Sequence, residues 1–255
     1  MTYQLNPSLS AKNTSPPFQL SQAIAHPNNS IHYQLFTPHS FALPADRLKP
    51  TGWEKLTAHF PDRHVTQAIM GICRYGARIG FQGIWEAPTI HPNLATAQAD
   101  TNQVMADIKN KLNLNRLLVS PDTLLLLTNY TPSPPGLTDK SDGSKRRIHH
   151  LSYPTNTTSS INGGIPEGLG AIAYSSMYDA IRTIQNIRVG SLLMKRDFES
   201  TFRHITVFPL DSPLLCFQWR GKYSAELFLP FRLRTAPYLF KLFSEIFHWI
   251  LEEES

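Results

Sequence analysis

Two apolar segments, Leu214–Trp219 and Lys222–Leu227, flank the dipeptide Arg220-Gly221, and this spacing constrains the chain more than any other feature. A two-residue loop joins antiparallel strands, and Gly in its second position suits the positive φ that such turns demand. The period then changes. From Thr235 to Leu251 the residues Leu239, Leu242, Phe243, Ile246 and Ile250 recur at helical spacing, with Thr235 placed to cap and Pro237 in the first turn. A hairpin that runs directly into an amphipathic helix predicts an α+β fold.

Upstream segments agree with that class. Trp53, Leu56 and Phe60 share a helical face, as do Val65, Ile69 and Ile72 behind an Asp62 cap. Residues 94–113 read as one helix through Val104, Ile108 and Leu112. The run Leu124–Leu127 reads as a buried strand or a core helix turn. Asp142-Gly143 marks a turn, from which Arg147–Leu151 leaves as a strand. Residues 176–188 read as a helix with Met177, Ile181, Ile184 and Arg188 on one side, and Leu192–Met194 as a buried strand ending at Asp197. Three stretches result: a Pro-, Ser- and Asn-rich flexible leader over 1–50, a helical region over 51–119, and a mixed region over 120–255.

Composition narrows the function classes. The net charge of +5 permits a polyanionic partner without demanding one. Two distant cysteines, Cys73 and Cys216, give neither a disulfide framework nor zinc spacing, which suits a reducing compartment. No apolar run approaches a membrane span and no signal peptide is evident, so an intracellular site in cytoplasm or nucleus is expected, with no membrane partner. His149 and His150 on one strand point to opposite faces, which argues against a shared zinc.

Three segments carry chemistry. Leu192–Ile205 delivers Asp197 from the end of an apolar strand, where a carboxylate is held rigidly enough to bind metal, and Phe202 follows five residues later. Phe228–Phe240 is a loop entering the last helix. Lys140–Ser152 gathers four cations, Lys140, Lys145, Arg146 and Arg147, around a turn able to meet phosphates.

In their order and spacing these segments resemble the reverse transcriptase domain of retroelements, most closely the tyrosine-recombinase group called DIRS-like. The "S-x-N" of that family stands here as Ser160-Ile-Asn162. "K-x-D-x-x-x-A-F-R-x-I" stands as Lys195–Ile205, and "L-P-F-G-L-x-x-A-P-x-x-F" as Leu229–Phe240. The resemblance covers about residues 120–255 and implies a partial right-hand polymerase fold, fingers and part of the palm, behind a helical N-terminal region. Its activity would be RNA-directed DNA synthesis on an RNA or DNA template-primer, consuming dNTP. Two Mg²⁺ ions about 3.5–4 Å apart would serve it. Asp197 would be the first metal-binding carboxylate, with the Phe198 carbonyl beside it and Phe202 as the gate under the sugar. Lys145, Arg146 and Arg147 would hold the triphosphate, Arg through its bidentate fork. Leu229, Pro230, Phe231 and Ala236 would line the nucleotide pocket.

Three departures bear on activity. The family's Tyr-x-Asp-Asp segment, which supplies the other carboxylates, does not occur before Ser255, so the expected product is truncated and inactive. Arg232 replaces a Gly and His150 replaces an Asp. If the backbone at 232 requires positive φ, the side chain costs on the order of 1 kcal/mol. The apolar face of 235–251 is expected to lie uncovered and to promote aggregation. A non-catalytic nucleic-acid-binding module, or an element remnant without a selected role, are the other readings.

Overall fold

The computed structural model describes residues 43–44, 47–83, 89–119, 132–155, 157–187, 189–192 and 197–253. The leader up to 42, the run Leu124–Leu127, Arg188 and residues 193–196 lie outside them. Helices and small antiparallel sheets are both present. Helix α1 spans Pro50–Leu56 and α2 spans Arg63–Tyr75. Asp62 caps α2 as expected, its carboxylate accepting from the His64 and Val65 N–H groups at 2.8 and 3.1 Å. Helix α2 stops at Gly76, φ 84°. A Cβ there would lie 2.6 Å from the Val207 carbonyl oxygen, so only glycine lets the two backbones meet.

The single helix expected over 94–113 is divided into α3, Ala95–Ala99, and α4, Thr101–Asn113. Asp100 separates them with φ −137° and caps α4 by accepting from the Gln103 N–H. An Asx side chain bonding its own downstream backbone competes with the helix at that position.

Strand β1 is Leu117–Val119, β2 Pro135–Asp139 and β3 Lys145–His149. Strand β4 is Cys216–Trp219 and β5 Lys222–Glu226. Strands β2 and β3 form a hairpin around the Asp142-Gly143 turn, and β3 begins two residues earlier than expected. Strands β1, β5 and β4 form an antiparallel sheet in that order. The β4–β5 turn has Arg220 at φ 48° and Gly221 at φ 75°, a type I′ geometry. Arg220 accepts the left-handed conformation because the twist of the flanking strands requires it.

Helix α5 is Met177–Asn186 and α6 is Ala236–Glu253. Thr235 does not cap α6 with its side chain; its hydroxyl donates to the Ile79 carbonyl at 2.9 Å. The face of α6 expected to lie open is covered. Leu239, Leu242, Phe243 and Ile246 are buried, and Trp53 meets Phe243 and Phe247 edge-on at 4.9 and 5.4 Å. The main core joins these residues to Ile69, Ile79, Leu215 and Leu229, and so runs across residue 119. Each such aliphatic or aromatic side chain removed from water contributes roughly 1.5–3 kcal/mol.

The uncovered face lies instead on α5. Ser176 and Asp179 form a capping box, but no residue of the helix is buried. Met177 is 75% exposed, and Tyr178, Ile181 and Ile184 are exposed beside it. Leu192, expected in a buried strand, is 99% exposed. The local signals for helix and cap are satisfied there without tertiary cover.

Candidate functional site

Backbone pairing brings two of the three chemistry-bearing segments together, and a side-chain contact adds the third. Ala77 N–H donates to the Thr206 carbonyl, Val207 N–H to that of Leu227, and Leu229 N–H to that of Ile205. The segment after Asp197 therefore lies against the chain leaving β5. The β2–β3 hairpin reaches the same place from the other side. There the Arg146 guanidinium lies 4.9 Å above the Phe231 ring. Phe231 meets Phe202 at 5.4 Å, edge to face. Phe202 continues to Phe240 at 6.3 Å, and Phe240 to Phe198 at 5.9 Å. Four expected site residues from three motifs, Arg146, Phe198, Phe202 and Phe231, thus belong to one chain of ring contacts.

Arg146 is exposed, and among the described residues its guanidinium makes no ion pair, so its fork remains open to a phosphate. Lys145 is exposed but engaged with Asp100 at 3.2 Å. Arg147 is a correction. Strand alternation turns it inward, where its side chain is wholly buried. Its Nε donates to Asp107 at 2.8 Å and its Nη2 to Glu226 at 2.9 Å, and its guanidinium lies 4.1 Å over the Phe217 ring. It cannot also hold a triphosphate. Leu229, Pro230 and Ala236 are corrections too: all three are buried, Leu229 and Ala236 in the main core. Of the pocket expectation for this loop, Phe231 and the exposed Arg232 face outward.

The loop that carries Phe231 is held by Asn162. Its Nδ2 donates to the Arg232 carbonyl at 2.8 Å and the Ser152 hydroxyl at 2.9 Å, while its Oδ1 accepts from the Arg234 N–H at 2.9 Å. Arg234 Nη1 adds a bond to the Ile165 carbonyl at 2.7 Å. Clamped in this way, Arg232 sits at φ 70°, the conformation that the replaced glycine suits.

Behind the surface lies a buried charge cluster. Glu226 is fully buried and accepts from Arg147, from Arg203 and, at 3.3 Å, lies against His149 Nε2. Asp107 joins Arg147 to Lys111 at 2.9 Å. Burial pushes the Glu226 carboxyl up, but Arg203, Lys111 and Arg147 outweigh it and hold it well below the usual carboxylate range. Burial, then Arg147, drive the His149 imidazole well below its ordinary value, and the same two causes bring the Lys111 ammonium down to about 8. Glu226, Arg203 and Asp107 were not singled out in the sequence. The available signal was a lone acid in the apolar run Ala225–Leu229, which on a hairpin strand requires a buried cation.

Asp197 is exposed and makes no hydrogen bond or ion pair among the described residues. Its neighbour Phe198 stacks on Phe247 at 5.4 Å, and the Phe198 carbonyl accepts from the Thr201 hydroxyl at 2.8 Å. Among the described residues the side chains do not fit a two-Mg²⁺ site. Among the described residues no three His, Cys, Asp or Glu side chains gather to hold a metal. Glu226 and Asp211 are committed to Arg147, Arg203 and Arg78. The two thiols, buried and pushed up to about 12, offer no nucleophile.

Among the described residues no helix is long and apolar enough to cross a membrane. No family model matches the chain, and no curated protein matches its sequence. Among solved structures it is similar to a selenomethionine-labelled mutant of the protease-reverse transcriptase of prototype foamy virus. That alignment covers 83% of this chain at 15% identity, with a TM-score of 0.43. The native form of that protein aligns over 89% at 16% identity and 0.40, and a foamy viral form in complex with dsDNA over 78% at 14% and 0.38. The chain spans 28%, 26% and 41% of those three chains.

Proposed function

We propose that this chain is a reverse-transcriptase-like module that binds a template-primer duplex through the Arg146–Phe231–Phe202 surface. The carrying observation is the convergence of three segments, 140–152, 197–205 and 229–240, on one open cation laid over an aromatic run. An arginine fork takes a backbone phosphate, and a ring beside it stacks a base or sugar, each base stack being worth about 1–3 kcal/mol. The order of the motifs supports a relation to retroelement polymerases. The reading is of duplex binding alone, since among the described residues no three metal-binding side chains gather.

The test is binding of an RNA–DNA primer-template, followed by fluorescence anisotropy over a range of salt. Affinity should fall steeply with added salt, as counterion release requires. Arg146→Ala with Phe231→Ala should weaken it about tenfold, near one stacked base and one phosphate contact, at an unchanged melting midpoint. Salt-insensitive retention, or equal affinity in the double variant, refutes the proposal. In primer extension with Mg²⁺, the chain and its Asp197→Ala variant are expected to give the same background.

A further inference from the structure

Glu226 touches neither the surface nor any ring of the aromatic run, yet it grips the immediate neighbours of two residues that do. Its carboxylate binds Arg147, next to Arg146 on β3, and Arg203, next to Phe202. Alternation along β3 sends Arg147 inward and Arg146 outward, and the turn Thr201–His204 buries Arg203 while leaving Phe202 half-exposed. Phe231, which lies between Arg146 and Phe202, stands five residues beyond Glu226 on the same strand exit. One buried anion therefore ties together the hairpin, the turn and the loop that meet at the surface.

The geometry points to Glu226 as a positioning residue that sets the separation of Arg146 and Phe202 on either side of Phe231. This rests on the binding role proposed above for that surface. An anion is required because Lys111, Arg147 and Arg203 crowd one buried region, with Asp107 as the only second counter-charge among the described residues. Both oxygens are engaged, Arg203 reaching Oε2 through Nη1 and Oε1 through Nη2 at 3.4 Å. Reach therefore matters as well as charge. An aspartate would keep the charge and lose the length needed to hold both arginines.

The test uses the full chain and its Glu226→Asp variant, with Arg203→Lys as companion should the first fail to fold. In the wild type, the ring current of Phe231 should displace the Arg146 Cδ proton resonances upfield. In the folded variant that displacement should collapse, and affinity for the RNA–DNA duplex should fall about fivefold, the size of one exposed cation–aromatic contact. The same substitution in an Arg146→Ala background should cost no further affinity. Asp211→Asn, which disturbs a buried carboxylate paired with Arg78 elsewhere, should lower stability and leave the Arg146 resonances in place. A folded Glu226→Asp variant with unshifted Arg146 resonances overturns the inference. A wild type that keeps the displacement but ignores the duplex overturns only the binding role on which it rests.

Discussion

Adjacent arginines on one strand carry separate duties. Arg146 faces outward over Phe231, while Arg147 is locked between Asp107 and Glu226. Removing one member of a buried ion cluster leaves its partner uncompensated and typically costs 3–5 kcal/mol. Arg147→Ala should therefore lower the urea midpoint sharply, whereas Arg146→Ala should leave it within experimental scatter. Equal effects of the two would contradict the assignment. At Arg232 the strain runs the other way. A non-glycine residue in the left-handed region costs about 1 kcal/mol, so Arg232→Gly should raise the thermal midpoint by about 2–4 °C. Differential scanning calorimetry decides; no gain would mean that the loop follows the side chain rather than the Asn162 clamp. The sequence marks position 232 as a strained site because the family motif places glycine there. It cannot show that Asn162 and Arg234 hold the backbone in that state.

Elements defined by local rules were legible. The Arg220-Gly221 turn, the Asp62 cap and the Asp142-Gly143 turn follow from φ preferences and side-chain reach within a few residues. Burial was not, because it depends on what packs from elsewhere. Alternation separates Arg146 from Arg147 without saying which faces in, and apolar loop residues such as Leu229 and Ala236 enter the core rather than line a pocket. Helix α6 and helix α5 show the same limit in opposite senses. Both have apolar stripes, yet α6 is covered by Trp53 and Phe60 while α5 presents Met177, Ile181 and Ile184 to solvent. An exposed stripe of that kind drives self-association. Ile181→Lys with Ile184→Lys should suppress concentration-dependent light scattering while leaving the melting midpoint unchanged, since α5 buries nothing. Undiminished scattering would place the sticky surface elsewhere.

For the molecule as a whole, the buried cluster couples stability to pH. The His149 imidazole is held neutral by burial and by Arg147, with Lys111 and Arg203 adding to the effect and Glu226 opposing it. Its folded pKa is depressed, so the unfolded chain takes up a proton near 6.5 that the folded chain refuses, and stability falls as pH drops below that value. Glu226 has the same sign further down. Its folded pKa lies below its unfolded one, so its contribution is present above the unfolded value and is lost as pH falls through the folded one. The other described histidines are exposed or half-buried. Urea midpoints measured between pH 7 and pH 5 should therefore decline, and His149→Gln should flatten the decline; parallel slopes would exclude His149 as the cause.

If Arg146, Phe202 and Phe231, far apart in the chain, form one nucleic-acid surface, photocrosslinking will find it. An RNA–DNA primer-template carrying 5-bromouridine would be irradiated with the protein, and the joined peptides identified by mass spectrometry. Crosslinks should fall on peptides containing Arg146, Phe202 and Phe231, and should disappear together in Arg146→Ala with Phe231→Ala. Crosslinks confined to other basic segments, such as α2 with Arg63 and Arg74, would contradict it.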